Sequence, residues 1–192
     1  MYKQCVTKNA RARQREIENG LMHMMTVKSF EQITVSDLCD SLNIPRKAFY
    51  RYFSSKEGAL YALIDHTLGD FLEEFAQIRT NSSSVRRIMI SFFQFWLKHG
   101  ELLDALAHNN LSGMLLQRSL DIALSNEDLI NLIFTDSKQV SNNYIAIYII
   151  SGIISLVIQW HRDKFAKSPE QMTAIALSVV PYSMANMKQF AI

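Results

Sequence analysis

Apolar residues recur every three or four positions through most of this 192-residue chain, the period of helices with one buried face rather than of strands. Ile17, Leu21, Met24 and Met25 set such a face over residues 9–28, with Asn9 as its cap. Phe30 lies in the link that follows and is predicted to be buried. Val35, Leu38 and Leu42 mark a second, shorter helix, and Thr34, three residues before Asp37, gives it a capping-box start. Asn43 then supplies a residue that tolerates the left-handed conformation of a sharp helix end. Pro45 is expected at the first position of a third helix, PRKAFYRYF, whose Phe49 and Phe53 lie four apart and face inward. Ser54 or Ser55 caps a long helix running from Lys56 through Leu60, Leu63, Ile64, Leu68, Leu72 and Phe75 to about Arg79.

A polar cluster, Asn81 to Ser84, is the clearest break in the chain. Beyond it Ile88, Phe92, Phe95 and Trp96 form one stripe, and Gly100 is expected to end their helix. Leu102, Leu103 and Leu106 begin a short helix that ends at His108-Asn109-Asn110. Another spans Ser112 to Leu124, and Asn126 caps NEDLINLIF. Tyr144 to Ile158 is almost wholly apolar over 15 residues, short of the ~20 that cross a bilayer, so no membrane insertion is expected. A helix apolar all round must be buried on every side, here against its own body and against a partner. Ser168-Pro169-Glu170 opens the last helix, which Pro181 ends. These two adjacent, over-apolar helices read as half of a four-helix homodimer interface, with Gly152, Ser155, Ile175 and Val179 at the contact.

Composition narrows the class. Only three Pro and six Gly accompany a 48 % hydrophobic content, which favours an all-α fold. Two cysteines are too few for a disulfide framework, so a reducing cytoplasm is the default, and the basic N-terminus is no signal peptide. The five histidines show no metal-ligand spacing, and neither a phosphate-binding glycine loop nor a nucleophile elbow occurs. No cofactor, no metal and no enzymatic activity are therefore expected.

Charge is uneven. Residues 1–60 carry ten Lys/Arg against six Asp/Glu, a net +4, while residues 61–192 carry ten against twelve, a net −2. The basic end coincides with a helix, a short turn and a second helix, the arrangement that enters a DNA major groove. Arg46 and Lys47 fall on the first turn of the second helix, where base edges are read. Thr34, Tyr50, Tyr52 and Lys56 are suited to holding phosphate oxygens from the flanks. Lys3, Lys8, Arg11 and Arg13 either touch backbone or minor groove or form a solvated basic end.

From Ile33 to Leu60, ITVSDLCDSLNIPRKAFYRYFSSKEGAL, the chain resembles the tetracycline-repressor (TetR/AcrR) family. Phe49-Tyr50-Arg51-Tyr52-Phe53 and Lys56 stand in the places of that family's recognition-helix pattern. Asn43 stands where Gly is usual, Pro45 where Ser is common and Ala48 where Thr or Gly is frequent. The resemblance is specific over about residues 9–72 and architectural beyond. It implies a helix-turn-helix domain over residues 1–55, and a helical regulatory and dimerisation domain over residues 56–192. It also implies that the long connecting helix transmits a ligand signal. The function expected is a ligand-responsive repressor, released from an inverted-repeat operator on double-stranded DNA by a small molecule of unknown identity. Phe92, Trp96, His99, Asn110, Tyr144 and Tyr148 are the candidates for the effector pocket, against the competing reading that such aromatics are plain core. The alternative function is a dimeric protein-interaction adaptor or co-activator without a small-molecule inducer.

Overall fold

A computed structural model describes residues 1–81, 84–125 and 142–179. The described residues form nine α-helices and no strand, in keeping with the all-α expectation: α1 (Lys8–Val27), α2 (Val35–Ser41), α3 (Arg46–Tyr50), α4 (Lys56–Asn81), α5 (Val85–Lys98), α6 (Gly100–His108), α7 (Ser112–Leu124), α8 (Asn142–Arg162) and α9 (Pro169–Val179). One 3-10 turn, Phe30–Gln32, joins α1 to α2. Ser82, Ser83, the helix expected behind Asn126, and Pro181 lie outside the described residues.

Local chemistry sets most boundaries. Thr34 and Asp37 form the expected capping box: the Asp37 N–H donates to Thr34 Oγ1 at 3.0 Å, and the Thr34 N–H to Asp37 Oδ2 at 3.1 Å. Ser55 accepts from the Gly58 N–H at 3.2 Å and caps α4. Ser168 and Gln171 cap each other ahead of α9, whose first residue is Pro169, as expected. Three boundaries differ. Thr7, not Asn9, caps α1 through the Ala10 N–H. Pro45, with ψ 143°, is the cap of α3 and not its first helical residue. Gly100 does not end α5; His99 caps that helix and Gly100 begins α6.

The chain divides into two compact units. The first comprises residues 1–69 and 101–118, the second residues 70–100 and 119–192. The expected head, residues 1–55, lies wholly within the first unit, which also takes in the opening half of α4 and most of α6 and α7. Ile17, Leu21, Met25, Leu38, Phe49, Phe53, Leu60 and Ile64, each at most 1 % exposed, make its core. Burial of that kind contributes about 1.5–3 kcal/mol per large side chain. Polar pins tie in the end of α6 as well. The Asn109 amide donates to Met25 O at 2.9 Å and to Ala105 O at 2.7 Å, and its Oδ1 accepts from the Phe30 N–H.

An N-terminal strap completes this unit. Tyr2 and Phe53 form an isolated antiparallel bridge, with the Lys3 N–H donating to Tyr52 O at 2.9 Å. Both the Ser54 N–H and the Ser54 hydroxyl donate to Met1 O, at 3.2 and 2.8 Å. Gly58 faces this strap: a Cβ there would lie 2.5 Å from the Met1 carbonyl oxygen.

In the second unit α5 packs against α9. Phe92, Phe93, Phe95 and Trp96 are buried, and Phe71 meets Phe92 and Phe95 edge-on at 5.3 Å. Trp160, on α8, touches Phe93 and donates from its indole to Lys167 O at 2.9 Å. Helix α8 has 21 residues, longer than its apolar run alone suggests. Its Asn143–Arg162 stretch is long and apolar enough to cross a membrane by length and composition only, and 33 % of its 18-residue apolar window is buried.

Candidate nucleic-acid interface

The turn between α2 and α3 is built as its residues dictate. Asn43 adopts φ 51°, the left-handed conformation expected of it, and the Ile44 N–H closes back onto Cys39 O at 2.9 Å. Pro45 redirects the chain into α3. That helix is short, five residues, but the Tyr52 and Phe53 N–H groups still donate to Phe49 O, so the helical path runs on as a turn. Phe49 is fully buried and Phe53 1 % exposed, their rings 5.3 Å apart. They fix one side of α3 to the core and leave Arg46, Lys47, Tyr50 and Arg51 exposed on the other.

Arg46 lies over Tyr50, its guanidinium carbon 6.0 Å from the ring centroid. The neighbouring Tyr50 hydroxyl pushes the guanidinium pKa further up. A cation laid on an aromatic face loses little mobility when it then meets an anion or a base edge. Thr34 is exposed at the cap of α2, and Asp37 beside it is held below the usual carboxylate range by the Lys28 ammonium at 2.9 Å and the Thr34 N–H. Burial raises the thiol pKa of Cys39, on the buried side of α2, which disfavours the reactive thiolate.

Two residues expected at phosphates are occupied otherwise. The Lys56 ammonium donates to Phe30 O at 2.7 Å, Ile33 O at 2.8 Å and Glu31 O at 3.0 Å, and lies 4.7 Å from the Phe30 ring centroid. All three of its protons serve carbonyls around the 3-10 turn, so it clamps the entry to α2 instead of facing outward. Tyr52 is 8 % exposed and packs on Phe53, while its carbonyl receives the N-terminal strap.

The six residues expected around an effector fall in both units. Phe92 and Trp96 are core residues of the second unit. His99 stacks on Phe95 with centroids 4.0 Å apart, its Nδ1 2.8 Å from Phe95 O. Asn110 belongs to the first unit, where it is exposed at φ 57° in the turn closing α6. Tyr144 and Tyr148 are 75 % and 67 % exposed on α8. At spacings of four, four and three residues they share a face of α8 with the exposed Gly152 and Ser155. Ile175 is 37 % exposed on α9; the Val179 side chain lies outside the described residues. Deeper in this unit, Trp96 Nε1 and Thr173 Oγ1 are buried with no hydrogen-bond partner among the described residues.

Sequence reasoning missed Asn109 as a pin, and also Tyr2, Asp65 and Arg118, which meet across 53 to 63 residues of chain. No local pattern signals such long-range contacts.

Comparison with known proteins accords with this geometry. Residues 20–63 match the model of "Bacterial regulatory proteins, tetR family", and residues 86–181, half the chain, match that of "Transcriptional regulator C-terminal region" of the same family. No curated protein matches the sequence. Among solved structures, a TetR-family regulator from Syntrophomonas wolfei is similar at TM-score 0.69 and 16 % identity, covering 92 % of this chain and 97 % of its own. One from Streptococcus agalactiae is similar at TM-score 0.64 and 16 % identity, covering 90 % and 96 %. A fatty acid degradation regulator, FadR from Bacillus halodurans, is similar at TM-score 0.61 and 12 % identity, covering 86 % and 96 %. At these identities the structural likeness carries the fold, and the matched family models carry the lineage. A helix-turn-helix with an exposed cationic tip, on a helical body matched over half the chain, belongs to the TetR family of DNA-binding transcriptional regulators.

Proposed function

We propose that the protein is a homodimeric repressor that reads an inverted-repeat operator and is released by a small molecule in the cytoplasm. The observation supporting the DNA reading is the two-sided α3: Phe49 and Phe53 anchor it, while Arg46 and Lys47 stand exposed on its first turn. Arg46 and Lys47 read base edges; Thr34 and Tyr50, both exposed, hold phosphate oxygens.

A second copy of the chain covers the exposed face of α8, residues Tyr144, Tyr148, Gly152 and Ser155, with Ile175 of α9 at its edge. Two large aromatic rings left 75 % and 67 % exposed on an apolar helix favour such a partner. Gly152 has open space where a Cβ would stand, so a neighbouring helix can approach closely. Effector binding in the second unit is supported by Trp96 Nε1 and Thr173 Oγ1. Each buried group left unpaired costs about 1–3 kcal/mol, which a ligand acceptor would recover. The effector acts by favouring a head spacing that no longer fits successive grooves.

Selection of bound DNA from a random duplex pool tests the reading. It should enrich a two-fold symmetric site with half-sites about 10–10.5 base pairs, or a multiple, apart. Enrichment of no sequence, or of an asymmetric one, would refute it.

A further inference from the structure

The N-terminal strap ends in a junction that the helix-turn-helix itself does not require. The Tyr2 hydroxyl donates to Asp65 Oδ2 at 2.7 Å. The same carboxylate takes a two-pronged bond from Arg118 on α7, Nε to Oδ1 at 2.7 Å and Nη2 to Oδ2 at 2.6 Å. The Asp65 side chain is only 8 % exposed and that of Arg118 28 %. Burial, then the bond to Asp65, pushes the Tyr2 phenol pKa up, so it stays a proton donor. The Tyr2 ring stands edge-on to His66 at 5.4 Å, and His66 in turn holds the fully buried Glu18 carboxylate at 2.8 Å.

On its other side the strap is bonded to the end of the recognition segment. Tyr2 bridges Phe53, and the Lys3 N–H holds Tyr52 O. Helix α3 has only five residues and few backbone bonds of its own to hold its orientation. Its C-terminal turn therefore takes its position partly from the strap, which is held in turn by Asp65 on Tyr2, by the Gln14 amide donating to Lys3 O at 3.0 Å and by Ser54 donating to Met1 O.

We propose that Tyr2, Asp65 and Arg118 form a positioning latch: α7 holds Asp65, Asp65 holds the strap, and the strap sets the pose of Arg46 and Lys47. Displacement of Arg118 would withdraw two of these three bonds from Asp65 and loosen the strap without any contact to DNA. The latch rests on the DNA-reading proposal for its consequence, but its mechanics can be measured without DNA. A charge-assisted fork on a nearly buried carboxylate is strong and geometrically specific, as a positional lock needs.

The experiment uses the full chain with Tyr2→Phe, Arg118→Lys and the double variant. Tyr2→Phe removes one hydroxyl, and Arg118→Lys keeps the charge while losing the fork. Amide exchange at Lys3 should rise at least tenfold in each single variant, beyond the rise at core amides such as Leu21 that any lowering of the thermal midpoint brings. On the operator selected from the random pool, each should bind five- to tenfold more weakly, with binding to random duplex and the salt slope unchanged. The double variant should lose less than the product of the single losses, because both act through one carboxylate. Unchanged Lys3 exchange in Arg118→Lys overturns the latch. So do multiplicative losses in the double variant, or equal losses on operator and random DNA. If the wild type selects no operator, the regulator reading falls, and Lys3 exchange alone still decides the latch.

Discussion

The Lys56 ammonium sits 4.7 Å from the centre of the Phe30 ring and donates to that residue's own carbonyl oxygen at 2.7 Å. With the bonds to Glu31 O and Ile33 O, one cation closes the turn that launches α2. Lys56→Met should therefore lower folding stability by about 1–3 kcal/mol, since it strips a charged donor from three carbonyls. Denaturant unfolding checks this. A phosphate-binding lysine would instead leave stability alone and reduce the salt slope of DNA binding by about one.

Arg46→Ala and Lys47→Ala act at the other end of the motif. Each should cost about 1–3 kcal/mol on the selected operator and little on random duplex, with folding unaffected, because both side chains are exposed. Competition binding against both DNAs measures the ratio. Equal losses on the two would assign these residues to phosphates.

Asn109→Ala should destabilise the first unit by about 1–3 kcal/mol, because it leaves the Phe30 N–H and Met25 O without their partner. The loss should show in thermal unfolding. Asn110→Ala removes no such bridge but places alanine at φ 57°, where asparagine is tolerated better. Its cost should be smaller.

Asp37 gives the capping box a pH dependence. Its pKa is depressed in the folded chain by Lys28 and the Thr34 N–H, so its contribution is present above the ordinary carboxylate value. It is lost as pH falls through the lower folded value. Asp37→Asn should therefore flatten the fall in stability between about pH 4 and pH 2 relative to wild type. Unfolding curves across that range test it.

Tyr148→Glu places a charge on the exposed stripe of α8. If a second copy covers that stripe, the dimer dissociation constant should rise at least ~30-fold, the effect of losing about 2 kcal/mol at an interface centre. Sedimentation at several concentrations reads it directly.

What could be read from the chain beforehand was what short spans determine. The left-handed Asn43, the Thr34–Asp37 box, the inward Phe49 and Phe53, and the Ser168-Pro169 start of α9 all depend on neighbours a few residues away. The misplacements have the opposite character. Lys56 finds its carbonyls 23 to 26 residues back, and Asn109 its partners 79 and 84 residues back. Tyr144 and Tyr148 carry no local sign of facing out rather than in. Residue type told what each could do, but only the fold decided which neighbour was nearest.

The missing methyl of Gly58 has its own consequence. Alanine is ordinarily the better helix former by about 1 kcal/mol, so the opening turn of α4 forgoes intrinsic strength to admit the backbone of Met1. A single added carbon would set the two against each other: a sturdier helix, and a leading peptide with nowhere to lie.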